Sequence, residues 1–439
     1  MMPSHPKPIS PTVSGVLRDL AASPTPYHAT ARAAELLKGA GYSAVDPTAD
    51  PSSLRAGSLN YTINGGALMA WRQPDTAKGY LIVGAHTDSP NLRVRTKPDV
   101  AAVGFSQIGM EVYGGVLLNS WLDRDLSLAG RVMVAEKDGA ISERLYQEPR
   151  PILRLPQLAI HLDRAIRDNG LKVDPQQHTA PLWALGDTTD GNLRSFVADS
   201  LGVEPEAILS WDLMTFDTQA PAIIGRDGDM FASGRIDNLV STFCAVRALI
   251  EVTSSAKHTS LTPVVVLYDH EEIGSTTATG AAGPMLENGL ERISAGAGAD
   301  RFGHLAALTK SLVLSVDGAH ATHPNYVDRH EPSHRIGIND GVVIKRNANQ
   351  RYATEAPAEA IVVAACRAEN IKLQYYIHRN DLPCGSTIGP ITAARLGTPT
   401  VDMGIAQLAM HSAREMAGVY DLDYLCDALR ACWMHSDTR

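Results

Sequence analysis

The sequence has 439 residues, of which 44% are hydrophobic and 20% charged, and its formal net charge is −9. This length exceeds one ordinary domain and suggests about two or three. The acidic balance argues against a nucleic-acid-binding protein, which needs a basic face, and the lack of any run of about 20 apolar residues argues against a membrane protein.

The N-terminal stretch and the cysteines both indicate a cytoplasmic protein. The first 15 residues, MMPSHPKPISPTVSG, lack the apolar segment of a signal peptide. The five cysteines are odd in number and widely scattered, which is typical of reduced thiols. We therefore expect cytoplasmic localisation.

The two ends of the chain show an α/β pattern. Residues 13–39 have helical periodicity, and GALMAW and YLIVGAH (80–86) are typical of strands. From about residue 234, NLVSTFCAVRALIEV predicts a helix, PVVVLY, SLVLSV, IKLQYYI and TPTVDM predict strands, and DYLCDALRACWM predicts a final helix. Strands that alternate with helices predict an α/β sheet covered by helices on both faces.

The middle of the chain has a different pattern. It is rich in short β-like segments such as LRVRTKP, IGMEVYGG and RVMVAE, with helical patterns near 156–168 and 195–208. We interpret 93–233 as a β-rich domain inserted into a first domain formed by 1–92 and 234–439.

Potential metal ligands follow the apolar runs. In an open α/β sheet, ligands bind beyond the carboxyl ends of the strands. His86 ends YLIVGAH with Asp88 two residues on, Asp237 opens a predicted helix, and the pair Glu271-Glu272 follows PVVVLY. Taken singly, each has a plain structural interpretation, namely a histidine in a turn, an aspartate at a helix N-terminus or a solvated acidic turn.

Taken together, the five potential ligands indicate a metal site more specifically than any one of them does. Asp317 follows SLVLSV and His411 follows TPTVDM, although a lone histidine there would be structural. Two imidazoles and three carboxylates without a thiolate suit two divalent ions that share a carboxylate, and such pairs, about 3.5–4 Å apart, activate water for hydrolysis. A metal at Glu272 would offset the cost of burying its charge, with Glu271 beside it as general base. The predicted ligands are His86, Asp237, Glu272, Asp317 and His411.

With these residues in place, the sequence resembles the aspartyl aminopeptidase family of di-zinc metallopeptidases. The matching strings run in family order from residue 84 to 416, and PQLAIHLDR in the middle matches too. The strings are GAHTDSPNLRVR, SGRIDNL, DHEEIGS, SVDGAHATHPNY, IKRNANQRYA, RNDLPCGSTIGPI and DMGIAQLAMHSAREM.

The resemblance implies a mixed-sheet catalytic domain, an inserted dimerisation domain and a division of the ligands between two ions. Asp237 would bridge both, with His86 and Asp317 completing one site and Glu272 and His411 the other. The ions would be Zn²⁺, with Mn²⁺ or Co²⁺ as alternatives.

The resemblance also implies the roles of the remaining catalytic residues. Glu271 would be the general base and Asp88 the partner that orients His86. The Asp237–Asn238 peptide bond would be cis.

Substrate recognition is implied in the same way. Lys345 would meet an acidic N-terminal side chain, Tyr352 and His320 would line the same pocket, and His161 would reach a neighbouring subunit in a homododecamer of dimers. The ordinary alternatives are that Lys345 is a solvated lysine at the end of a strand and that His161 lies on the polar face of a helix. A nucleophilic Cys384 is a further alternative that the metal set makes redundant.

The implied function is the removal of N-terminal Asp or Glu from peptides by a dinuclear metal-activated water. The nearest alternative is a broader di-metal aminopeptidase or an N-acyl amino acid deacylase that uses the same site. A catalytically silent scaffold is a second alternative, although it would have no need for both Glu271 and Glu272.

Overall fold

The structure is a computed structural model that describes residues 9–187, 189–255, 259 and 261–435. Its α-helices are α1 (Pro11–Ala21), α2 (Pro26–Gly39), α3 (Ile166–Asn169), α4 (Asn192–Leu201), α5 (Ile236–Ser254), α6 (Met285–Gly296), α7 (Arg301–Thr309), α8 (Ala356–Ala368), α9 (Ile388–Leu396) and α10 (Asp421–Met434). Within these described ranges, no helix combines the length and the apolar character needed to cross a bilayer.

Among the described residues, three sheets contain the strands. They are β1 (Ser43–Ala44), β2 (Leu59–Asn64), β3 (Ala67–Arg72), β4 (Tyr80–His86), β5 (Asn91–Ala102), β6 (Phe105–Tyr113), β7 (Leu126–Ala135), β8 (Ile141–Gln147), β9 (Leu182–Leu185), β10 (Ile208–Asp217), β11 (Ala222–Ile224), β12 (Met230–Ser233), β13 (Thr262–Tyr268), β14 (Leu312–Val316), β15 (Ala319–His320), β16 (Val342–Arg346), β17 (Leu373–Ile377), β18 (Thr400–Gly404), β19 (Ala406–Leu408) and β20 (Glu415–Gly418).

The largest sheet of the described chain has nine strands in the order β1-β2-β3-β13-β4-β14-β18-β16-β17. Its centre is parallel, because β4 pairs in parallel with both β13 and β14, and β14 pairs in parallel with β18. β3 and β16 run antiparallel to their inner neighbours. The expected α/β architecture with a mixed sheet is confirmed.

Helices cover both faces of this sheet. In β13, Val265 and Leu267 pack in one core with α1, α2, α5, α8 and α10, whereas Val264 and Val266 pack in another with α6, α7 and α9. Successive side chains of a strand point to opposite faces, so a strand covered on both sides becomes apolar throughout. This is why PVVVLY and YLIVGAH are continuous apolar runs.

The first two helices show how local sequence sets an element boundary. The side chains of Ser10 and Thr25 accept hydrogen bonds from the amides of Val13 and His28, and a proline follows each cap. Such caps satisfy amides that have no partner inside the helix, and proline tolerates the first helical position.

The inserted region forms a second, antiparallel sheet in the order β8-β7-β10-β5-β6-β9. Its strands span residues 91–217, whereas β11 and β12 join β20, β19 and β15 in a third sheet. The boundaries at 93 and 233 stay a prediction, and the pairing of β12 with β20 favours an inserted unit that ends nearer residue 217.

The helix predicted near 156–168 is wrong for most of its length. Only one helical turn, α3, forms there, while Leu158, Ile160 and Leu162 are 58%, 44% and 75% exposed. Because these apolar side chains stay exposed, an amphipathic helix would gain little from burial there. The pattern near 195–208 corresponds to α4, after which β10 begins at Ile208.

Candidate metal centre

The donors predicted from the sequence converge at one edge of the nine-stranded sheet. His86 is the last residue of β4, Glu272 lies in a short 3₁₀ helix after β13, and Asp317 directly follows β14. The carboxyl ends of parallel strands meet at one edge. Asp237 at the start of α5 and His411 in the loop after β19 complete the set.

Asp237 lies at the centre of this cluster. Its Oδ1 is 3.3 Å from Nε2 of His86, and its Oδ2 is 3.5 Å from Nε2 of His411. Nε2 of His86 is also 3.8 Å from Oδ1 of Asp317, and Nε2 of His411 is 3.3 Å from Oε2 of Glu272. The two oxygens of Asp237 therefore face two different histidines, each accompanied by another carboxylate.

The donor chemistry fits divalent cations. His86, Asp237 and Glu272 each offer a ligand atom within 4.8 Å of the others. Asp237 Oδ1 and Glu272 Oε1 are buried and find no hydrogen-bond donor among the described residues. Buried carboxylate oxygens without a partner are costly unless a cation faces them, so these residues would suit a metal.

The pKa shifts indicate the same requirement for positive charge. Burial raises the pKa of the Glu271 carboxyl to about 8, and the neighbouring carboxylates of Asp317, Asp88 and Asp237 contribute. Burial, together with Asp237, also raises the pKa of Glu272 well above its ordinary value. Divalent ions reverse such shifts because they favour the charged carboxylate.

Asp88 connects several parts of the site. Its Oδ1 accepts a hydrogen bond from the amide of Glu271 at 3.1 Å, and its Oδ2 accepts one from the amide of Glu272 at 3.1 Å. Nδ1 of His86 lies 3.0 Å from the Asp88 carbonyl oxygen and 3.3 Å from Oδ1. A carboxylate beside Nδ1 leaves Nε2 of His86 free to ligate.

The backbone turns sharply at these positions. Arg235, His270 and His411 have φ values of 61°, 65° and 66°, in the left-handed region that non-glycine residues seldom occupy. The Asp237–Asn238 bond is cis, as the resemblance implied. Non-glycine residues in the left-handed region, such as these three, concentrate at functional sites, where surrounding contacts hold them in place.

A second group of predicted residues lies beside Asp317. Lys345 is buried, donates from Nζ to the carbonyl oxygen of Gly318 at 3.0 Å and lies 3.6 Å from Oδ2 of Asp317. Its Nζ is 5.0 Å from the centroid of the Tyr352 ring. The His320 ring is 5.9 Å from Tyr376, and burial with help from Lys345 lowers the pKa of His320 to about 4.

His161 and Cys384 do not join the cluster within this chain. His161 is exposed in the turn region before α3, and Cys384 is half-buried near Tyr352. Burial raises the pKa of the Cys384 thiol, which disfavours the thiolate that a nucleophile needs.

Two supporting residues escaped the sequence reasoning. Glu415 is buried, and its carboxylate accepts hydrogen bonds from the amides of Asp237 at 3.0 Å and of His411 at 2.8 Å. Asp402 accepts from the Ala353 amide and from the hydroxyls of Ser315 and Thr387. Both lie in DMGIAQLAMHSAREM, and the presence of acidic residues in an otherwise largely apolar string was the available signal.

Comparisons with known proteins define the class of this chain. The family described as Aminopeptidase I zinc metalloprotease (M18) matches residues 20–433. The Probable M18 family aminopeptidase 2 of Streptomyces coelicolor is 47% identical over 416 residues, covering 94% of this chain and 95% of the relative. That of Mycobacterium tuberculosis is 44% identical over 427 residues, covering 96% and 97%.

Solved structures agree with the sequence relatives. A chain of the Ape4 and Nbr1 complex superposes with a TM-score of 0.91 at 35% identity, covering 96% of this chain and 85% of that one. The S. cerevisiae mApe1 dodecamer gives a TM-score of 0.84 at 28% identity, covering 97% of each chain. The fold is that of a metallo-aminopeptidase, and the chain belongs to the M18 family of zinc metalloproteases. It is a hydrolase.

Proposed function

We propose that this aminopeptidase carries two divalent metal ions and removes acidic residues from the N-termini of peptides. One observation carries the dinuclear part of the proposal. The Oδ1 and Oδ2 atoms of Asp237 face Nε2 of His86 and of His411 respectively, which is the arrangement that a bridging carboxylate requires. Zn²⁺ suits imidazole and carboxylate ligands.

The proposed ligands are those predicted from the sequence. His86 and Asp317 would hold one ion, Glu272 and His411 the other, and Asp237 both. When bound, two such ions lower the pKa of water and polarise a carbonyl group.

Glu271 is the proposed general base. Its Oε2 lies 3.9 Å from Nε2 of His86, and its side chain is only 15% exposed. In the proposed reaction, Glu271 removes a proton from the attacking water and then delivers it to the leaving amine. Asp88 holds the Glu271 amide in place through Oδ1.

Lys345 is the proposed determinant of specificity. It is a buried cation that donates to the Gly318 carbonyl oxygen and lies beside the Asp317 carboxylate. An acidic substrate side chain would form a charge-assisted bond with it, and a site built for such a bond discriminates strongly against neutral residues. Tyr352 and His320 lie beside it and would complete the pocket.

Self-association is part of the proposal. The yeast neighbour is a dodecamer, and the exposed apolar side chains of Leu158, Ile160 and Leu162 flank His161 in the inserted region. We propose a homododecamer built from dimers, in which His161 reaches a neighbouring active site. We also propose a cytoplasmic protein, since the cysteines are unpaired.

Metal removal tests the proposed metal centre, and substitution of Lys345 tests the proposed specificity for acidic N-terminal residues. A chelator should abolish activity, Zn²⁺, Co²⁺ or Mn²⁺ should restore it, and the protein should take up two ions per chain. Lys345→Ala should raise KM for aspartyl and glutamyl substrates far more than for alanyl or leucyl ones.

Arg346→Ala is the matched control, because Arg346 is exposed on the same strand and pairs with Glu359. Equal effects of Lys345→Ala on acidic and neutral substrates would refute the acidic specificity. In that case, turnover of neutral N-termini or N-acyl amino acids would identify the broader aminopeptidase or the deacylase.

A further inference from the structure

One segment of the inserted region reaches the metal centre. β6 ends at Tyr113, and the glycines Gly114 and Gly115 follow it across the edge of the site. A Cβ added to Gly114 would lie 3.0 Å from Cβ of Glu272, and one added to Gly115 would lie 3.1 Å from Nδ1 of His411. The backbone therefore approaches two proposed ligands more closely than a side chain would comfortably allow.

Tyr113 acts on the centre through Asp88. Its hydroxyl donates a hydrogen bond to Oδ2 of Asp88 at 2.7 Å, and the residue is only 5% exposed. The guanidinium of Arg93 stacks 3.6 Å from the centroid of the Tyr113 ring and fixes its plane. Asp88 in turn contacts Nδ1 of His86 and the Glu272 amide.

Gly115 acts on the opposite side of the centre. Its carbonyl oxygen lies 3.0 Å from Nδ1 of His411 and accepts a hydrogen bond from that nitrogen. This contact orients the ring so that Nε2 of His411 is directed at Asp237 and Glu272. The amide of Leu117 also donates to the His411 carbonyl oxygen at 3.2 Å.

We propose that Tyr113–Gly115 is a positioning element through which the inserted region sets the metal affinity of the catalytic edge. Tyr113 orients His86 by way of Asp88, and the Gly115 carbonyl orients His411. This inference rests on the proposed metal centre, although the element itself contributes no ligand. Partners of ligating histidines commonly change metal affinity by about 10–100-fold when they are lost.

Tyr113→Phe tests the first contact, since it removes one hydroxyl and keeps the ring. Tyr146→Phe is the matched control, because Tyr146 is buried in the same sheet and its hydroxyl has no hydrogen-bond partner among the described residues. The zinc dissociation constant of each full-length protein is measured by chelator competition, beside thermal unfolding of the metal-free forms. We expect Tyr113→Phe to bind zinc about tenfold or more weakly than the control.

Gly115→Ala tests the second contact, because the added methyl group would press on the His411 ring. Gly109→Ala is its control, since a Cβ there meets only ordinary contacts, the nearest at 3.4 Å. We expect Gly115→Ala to bind zinc more weakly than the wild-type protein and Gly109→Ala to bind zinc as the wild-type protein does. Assembly, followed by size-exclusion chromatography, should be the same for all four variants.

The outcomes separate this inference from the proposed function. If the wild-type protein takes up no zinc, the proposed metal centre itself is wrong. If it takes up two ions but Tyr113→Phe and Gly115→Ala match their controls, only the positioning role is overturned. Affinity losses that merely follow the unfolding of the metal-free variants would overturn it as well.

Discussion

The nine-stranded sheet and the sheet of the inserted region bury their strands differently. Every residue of β4, β13 and β14 is buried, whereas β8 alternates between exposed residues and residues that are partly buried or, at Tyr146, buried. The first sheet lies between two helical layers, and the second leaves one face of its edge strand open. We expect the chemistry at the strand ends of the first sheet, where the proposed ligands lie, whereas the second sheet has surface available for association.

The largest expected effect tests where the chemistry lies. Glu271→Gln should lower kcat by a factor of about 10²–10⁴, because an amide cannot accept the proton of the attacking water. The variant should keep both metal ions, which elemental analysis measures. Glu143→Gln is the matched change in the inserted sheet, where the side chain is 43% exposed and pairs with Arg131.

Glu143→Gln should leave kcat unchanged. Full activity of Glu271→Gln would remove this residue from the mechanism. It would also break the assignment of the chemistry to the strand ends of the larger sheet.

The second prediction compares the same substitution in the two sheets. Leu267→Ala in β13 should lower the free energy of unfolding by about 2–5 kcal/mol, because the side chain is fully buried and leaves a cavity. Leu145→Ala in β8, where the side chain is 40% exposed, should cost about 1 kcal/mol or less. Denaturant unfolding of the two variants measures the difference, and equal losses would contradict the contrast in burial.

The smallest expected effect concerns acid stability. Burial, with help from Arg235, lowers the pKa of His28 in α2 from 6.5 to about 4. The unfolded chain then binds more protons than the folded chain between these values, so stability is complete above pH 6.5 and declines as the pH falls towards 4. For this one group the decline is up to about 3 kcal/mol.

His28→Gln should flatten that part of the stability profile, measured as unfolding free energy against pH. His178→Gln is the control, because His178 lies exposed in the inserted region. An identical pH profile for His28→Gln and the wild-type protein would show that α2 does not bury a neutral imidazole.

The sequence could predict the larger sheet and its donors because both follow from local pattern. A strand buried on both faces must be apolar throughout, as in YLIVGAH, and ligands come directly after such strands. Glu272 and Asp317 could therefore be singled out from their positions after strands, and Asp237 from its position at the start of a predicted helix. The family strings then assigned them between two ions, a division that stays a prediction.

Other parts of the molecule could not be predicted from local pattern. Glu415 bonds to the amide of Asp237 across 178 positions, and Gly115 bonds to His411 across 296. Neither periodicity nor spacing records such contacts. The helix predicted around Leu158 is wrong for a related reason, since an apolar pattern indicates burial only where another part of the fold covers it.

The strand order of the larger sheet has a consequence for biosynthesis. β4 lies between β13 and β14, and both follow the inserted region in the chain. During translation, one hydrogen-bonding edge of this apolar strand lacks its partner until β13 ends at residue 268, and the other lacks its partner until β14 ends at residue 316, a delay on the order of ten seconds or more at usual elongation rates. Unpaired apolar strands recruit other chains, so the nascent protein should depend on chaperones until its C-terminal half emerges.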